Sequence, residues 1–271
     1  MRLASRFGYA NQIRRDRPLT HEELMHYVPS IFGEDRHTSR SKRYAYIPTI
    51  TVLESLQREG FQPFFACQTR VRDPGRRGYT KHMLRLRRAG EINGEHVPEI
   101  ILLNSHDGTS SYQMLPGYFR FVCQNGCVCG QSLGEVRVPH RGNVVDRVIE
   151  GAYEVVGVFD RIEEKHDAMQ SLVLSPPARQ ALAQALTYRY GDEHQPVTTA
   201  DILTPRRRED YGQDLWSAYQ TIQENMLKGG ISGRSAKGKR IHTRAIHNID
   251  TDIKLNRALW VMAETLLESL R

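Results

Sequence analysis

Along this chain the apolar positions recur at period two from Phe61 to Val138 and at helical spacing from Asn143 onward. In the first region Phe61–Arg72, Tyr79–Arg88, Pro98–Leu103, Ser110–Cys123 and Cys127–Val138 read as strands. Pro74-Gly75 followed by Arg76-Arg77-Gly78 reads as a basic hairpin tip. Asp107-Gly108 and Asn125-Gly126 read as tight turns, because such pairs accept the positive φ that primed turns require. Within Tyr79–Arg88, Lys81, Arg85 and Arg87 share one face. Within the next aromatic strand Tyr118 and Arg120 share a face opposite Phe119 and Phe121.

Helices flank this region. Thr20-His21-Glu22-Glu23 is a capping box that opens a short helix. Pro48–Gly60 reads as a helix with Thr49 as its cap, Val52, Leu53 and Leu56 inward, and Gly60 as its stop. Asn143–Gln170, Pro176–Tyr190 (capped by Ser175), Tyr211–Leu227 and Asp250–Leu270 follow. A short helical lead-in, a central antiparallel sheet of about five strands and then several helices make an α+β protein. Residues 1–45 form a basic N-terminal segment. Residues 46–271 are expected to be a single domain, sheet-rich over 46–140 and helical over 141–271, with a mobile basic loop at 228–244.

Composition narrows the class. Hydrophobic content of 39% and charged content of 25% are ordinary for a globular chain. There is no run of eighteen apolar residues and no apolar segment behind the N-terminal arginines, so neither a membrane span nor an export signal is expected. Four cysteines in 271 residues without such a signal point to the cytoplasm and to free thiols.

Charge changes the picture more, through its distribution. Between Gln68 and Gly90 eight Lys/Arg face a single acid, Asp73. Lys228–Ile249 carries six Lys/Arg and no acid, whereas Arg141–Leu227 holds fourteen acids against nine bases. Such segregation gathers polyanions. The candidate phosphate contacts are Arg70, Arg72, Arg76, Arg77, Lys81, Arg85 and Arg87 in the first stretch, and Arg234, Lys237, Lys239, Arg240 and Arg244 in the second. Tyr118 and Arg120 are the candidates to stack on bases. The two stretches are expected to converge into one cationic surface.

Other chemistry is less well supplied. Cys123, Cys127, Cys129 and His140 are the candidate zinc ligands, but their spacing departs from the two-residue knuckle, and cysteines across a hairpin also pack as small apolar residues. Ser105, Ser110 and Ser111 near His106-Asp107 lack the strained G-x-S-x-G elbow of a serine nucleophile. Asp73, Glu91, Glu95, Glu99 and Asp107 are scattered rather than set to hold magnesium. The run from Gly233 to Lys239 has the composition of a phosphate loop in the wrong order. Trp216 and Trp260 sit at apolar helix positions and belong to the core.

Four stretches carry a resemblance: Asn-Ser-x-Asp-Gly at Asn104–Gly108, Gly-x-Phe-Arg-x-x-Cys-x-Asn-Gly at Gly117–Gly126, Leu-Trp with Gln-Glu-Asn and Gly-Gly over Leu215–Gly230, and Asn256–Trp260. They resemble the plasmid- and prophage-borne uncharacterised proteins of the YfjQ, YafZ and YubP type (domain of unknown function 932), from about Tyr44 to the C-terminus. The resemblance implies a mobile genetic element and transfers no catalytic residue. The order of elements is more loosely similar to single-strand annealing proteins of the Rad-fifty-two type.

The expectation is therefore a non-enzymatic nucleic-acid-binding protein, DNA favoured, in single-strand binding or annealing during transfer or recombination. It needs no cofactor and no membrane, and is compatible with a homo-oligomer. The alternatives are an interaction protein that binds a host protein, and a metal-dependent nuclease.

Overall fold

The computed structural model describes residues 11–33, 46–88, 90, 95–122, 124–129, 134–187, 197–234 and 237–270. The chain is a mixed α/β protein built on a curled antiparallel sheet, and it divides into two compact units. The first comprises residues 1–122 and 132–159, the second residues 123–131 and 160–271.

In the first unit the strands run β1 (Gln12–Arg14), β2 (Phe61–Gln68), β3 (His82–Arg88), β4 (His96–Asn104), β5 (Tyr112–Arg120) and β7 (Val136–Val138). Each pairs antiparallel with its neighbour in that order, β7 closing on β5. The register aligns Ile13, Ala66, Leu84, Leu102, Met114 and Val136 across the sheet. That apolar row packs with helices α2 (Thr49–Arg58) and α3 (Val144–Val156), whose Val52, Leu53, Leu56, Val144 and Val148 are buried in the same core. At Gly151 a Cβ would lie 2.7 Å from a Val136 methyl, so a bare backbone is what lets α3 approach the sheet. Helix α1 (His21–Tyr27) opens on the capping box read from sequence, with Glu23 N–H on Thr20 Oγ1 and Thr20 N–H on Glu23 Oε2.

In the second unit β6 (Asn125–Val128) accompanies α4 (Phe159–Ser171), α5 (Pro176–Thr187), α6 (Thr199–Leu203), α7 (Leu215–Lys228), the ribbon β8 (Ser232–Arg234) and β9 (Arg240–His242), and α8 (Ile249–Ser269). Its core holds Trp216 stacked on Tyr219 at 5.3 Å, with Trp260 edge-on to Tyr219. Among the described residues no helix is long and apolar enough to cross a membrane.

Several boundaries differ from the sequence reading for identifiable reasons. Asn143–Gln170 is two helices, because α3 ends at Gly157. Asn125-Gly126 lies inside β6, and the positive φ falls on Gln124. Asp107-Gly108 sits in a loop whose Asp107 carboxylate accepts the Thr109 N–H, a side-chain turn that replaces a two-residue hairpin. The basic tip is a 3-10 turn (Pro74–Tyr79) capped by Asp73 on the Gly75 N–H. The basic loop at 228–244 contains a β-ribbon.

Candidate nucleic-acid interface

The two basic stretches fall in different units. In the first unit Arg70, Arg72 and Arg76 are exposed on the turn, while Arg77 and Lys81 are half-buried. Gln68 fixes this turn in place. Its side-chain oxygen accepts from Ser30 N–H (3.1 Å) and Ser30 Oγ (2.9 Å), its amide reaches the Arg77 carbonyl, and the Arg77 guanidinium donates to the His26 carbonyl at 3.2 Å.

In the second unit Arg234, Lys237, Lys239, Arg240 and Arg244 are all exposed, and none forms an ion pair among the described residues. The ribbon is fastened at its base. Gly230 N–H bonds the Thr243 carbonyl (2.8 Å), Thr243 N–H bonds the Ile231 carbonyl (2.9 Å), and Ile246 N–H returns to Leu227 at the end of α7 (2.9 Å). Gly229 has φ +60°, and a Cβ there would lie 2.5 Å from the Arg244 carbonyl carbon. Arg206 donates to Asn225 Oδ1 (2.6 Å) and to the Gly229 carbonyl, tying this corner to the preceding segment.

Four of the expected contacts are inside the protein. Arg85, Arg87, Tyr118 and Arg120 are 3%, 2%, 5% and 6% exposed, so they are withdrawn from any surface role. Arg85 and Arg87 bracket Glu99, at 3.0 Å to Oε2 and 2.9 Å to Oε1. The Arg87 guanidinium also lies 4.1 Å from the Phe119 ring centroid, and Arg14 packs over Phe65 at 4.5 Å. Burial, followed by the neighbouring Arg85 charge, pulls the Arg14 guanidinium down to about 10. Tyr118 stacks on His96 rather than on a ligand, with rings 4° from parallel and 5.4 Å apart. The sheet face opposite the helices is thus a buried ionic layer, where alternation alone suggests an open cationic face.

The candidate zinc ligands are divided between the two units. Cys123 lies outside the described residues. Cys127 and Cys129 are buried thiols in the second unit, and Cys127 Sγ accepts from the Gln220 and Gln223 side-chain amides (3.6 and 3.5 Å). His140 belongs to the first unit, its ring 5.0 Å from Tyr112. Among the described residues no three His, Cys, Asp or Glu side chains are grouped so as to hold a metal.

Sequence reasoning missed a buried polar cluster at one end of the first unit's sheet. Thr49 Oγ1 lies 2.8 Å from His82 Nε2, 3.3 Å from His106 Nε2 and 2.9 Å from the Asn104 amide, and Tyr112 OH donates to the Ile47 carbonyl. His82 Nδ1 faces the Thr80 carbonyl at 3.0 Å, so it carries the proton, and Nε2 accepts the hydrogen of Thr49. Burial pushes His82 down to about 4 and His106 to about 3, the latter helped by the other two histidines, and it also lowers His140. The bonds repeat the order of nucleophile, base and orienting group. Thr49 and His82 are nevertheless 0% and 1% exposed, and the hydroxyl holds α2 against the sheet instead of facing a substrate. The available signal was a β-branched hydroxyl residue beside Pro48 together with histidines at strand ends.

Residues 36–260 match the family model described as Domain of unknown function (DUF932). The chain is 74% identical over 271 residues to the UPF0380 protein YafZ of Escherichia coli (strain K12), and 73% identical to the UPF0380 protein YfjQ of the same strain. Both alignments cover 100% of this chain and 99% of the relative. No solved structure matches. A family model spanning most of the sequence, and two relatives at this identity over their whole length, place the chain in the DUF932 family with the UPF0380 proteins.

Proposed function

We propose that this protein binds nucleic acid, DNA in preference, in the cytoplasm on behalf of a plasmid or prophage during transfer or recombination. The observation that supports the reading is the ribbon of the second unit, where five exposed Lys/Arg side chains have no acidic partner among the described residues. Uncompensated cations on a fastened backbone hold a high local potential, and counterion release on contact with phosphates supplies the affinity. The exposed Arg70, Arg72 and Arg76 add a second contact surface on the first unit.

The experiment is fluorescence anisotropy of labelled single-stranded DNA, duplex DNA and RNA of one sequence against the full chain, at about 50 mM and about 200 mM salt. Binding that weakens steeply with salt supports the reading. Absence of binding to every probe at the lower salt refutes it.

A further inference from the structure

We propose that the β8–β9 ribbon is a groove-reading element that enters the major groove of duplex DNA. The inference rests on the nucleic-acid reading above and names the form of the ligand. The ladder sets Ser232 opposite His242, Gly233 opposite Ile241 and Arg234 opposite Arg240. Residues directly opposite one another, and residues two apart on a strand, share a face. Ser232, Arg234, Arg240 and His242 therefore occupy one side of the ribbon, and Ser232 Oγ meets His242 Nδ1 at 3.0 Å.

Like charges directly opposite one another on a ladder repel. Here neither arginine has a carboxylate partner among the described residues, and Arg234 donates to the Gly238 carbonyl at 3.4 Å. Both guanidiniums are exposed and open to an acceptor from outside the chain. At the tip Gly238 takes φ +71° between the exposed Lys237 and Lys239, which suits them to the flanking phosphates.

The form of the nucleic acid follows from shape and composition. Single-strand binders offer aromatic side chains for bases to stack on. Lys228–Ile249 contains no Phe, Tyr or Trp, so the ribbon offers bases no ring to stack on. Strands about 4.8 Å apart make a ribbon that the roughly 12 Å major groove of B-form DNA admits. The major groove of A-form RNA is too narrow and deep for side chains to read. Arginine also supplies the paired donors that match the O6 and N7 acceptors of guanine. The anchoring of the ribbon to α7 through Gly229, Gly230 and Ile246 keeps that face presented as a unit.

The test uses the full chain and four probes of one sequence: duplex DNA, duplex RNA, single-stranded DNA, and duplex DNA whose major groove is filled by glucosylated hydroxymethylcytosine. The expected result is binding to plain duplex DNA about tenfold or more tighter than to duplex RNA or the filled duplex, the scale of one lost bidentate base contact. The double variant Arg234→Ala with Arg240→Ala should lose affinity for plain duplex DNA by a similar factor. It should also flatten the slope of log affinity against log salt by about two, because a guanidinium on a base edge still brings its charge into the counterion atmosphere of the phosphates. Both side chains are exposed, and an unchanged circular dichroism spectrum identifies variants that keep the fold. Equal affinity for plain and filled duplex, or for duplex RNA, or tighter binding to the single strand, overturns the groove placement and leaves the nucleic-acid reading standing. Binding to none of the four overturns both.

Discussion

Acidification should destabilise the first unit well before its carboxylates titrate. The perturbation is a fall from pH 7.5 to pH 5, acting on the histidines around Thr49. His82 goes from an ordinary 6.5 to about 4, and His106 from 6.5 to about 3, both chiefly through burial. A histidine whose folded pKa is depressed adds stability above its unfolded pKa and loses it as pH falls toward the folded value, because over that window the unfolded chain binds the extra proton. At pH 5 the unfolded histidines are charged and the folded ones neutral, so each costs about 1.5 units, or about 2 kcal/mol, and the pair about 4 kcal/mol. His140, lowered in the same direction, deepens the loss. With a urea slope of about 2 kcal/mol per molar the midpoint should fall by about 2 M. Both tryptophans belong to the second unit, so the assay is urea unfolding read by hydrogen exchange of β3 and β4 peptides. A midpoint that moves by less than about 0.5 M, or histidine resonances of His82 and His106 that titrate near 6.5, refutes the reasoning.

Other consequences concern single side chains. Thr49→Val removes the oxygen shared by His82 and Asn104 and should cost about 2–3 kcal/mol in thermal denaturation, while Thr49→Ser keeps most of the stability. Glu99→Gln leaves Arg85 and Arg87 buried without their carboxylate and should cost about 3–5 kcal/mol, measured by urea unfolding of the same peptides. Gly229→Ala places a Cβ against the Arg244 backbone at a positive φ, at a cost of about 1–3 kcal/mol. Hydrogen exchange in 228–246 should rise in that variant, and affinity for DNA should fall with it.

Much of the architecture is legible in the residues. The helical lead-in, the antiparallel strands and the later helices follow from period and punctuation, as do the Thr20 and Ser175 caps. What stays hidden is which faces are covered. Alternation in Tyr79–Arg88 sorts side chains into two faces but does not say that both are buried. The available hint is Glu99, the one acid in an otherwise apolar strand and the counter-ion that lets Arg85 and Arg87 go inside. Thr49 misleads in the other direction: beside Pro48 it has the identity of a helix cap, yet it is the first helical residue and its hydroxyl serves three distant partners, His82, His106 and Asn104. Long-range contacts of that kind leave no local periodicity. The division into two units, with residues 123–131 assigned to the second, is equally invisible to a reading that moves along the chain. The exposure of the second basic stretch is legible in sequence, since charge without acids in a glycine-punctuated segment needs no tertiary knowledge to recognise.

The central claim is that the uncompensated cations of the ribbon bind polynucleotide phosphates, and its most direct test is the slope of log affinity for duplex DNA against log salt. Five cations brought against the phosphate charge, Arg234, Lys237, Lys239, Arg240 and Arg244, predict a slope of about −4 to −5, and alanine at Lys237, Lys239 and Arg240 should bring it to about −2. A slope near zero, or one that the triple variant leaves unchanged, contradicts the account.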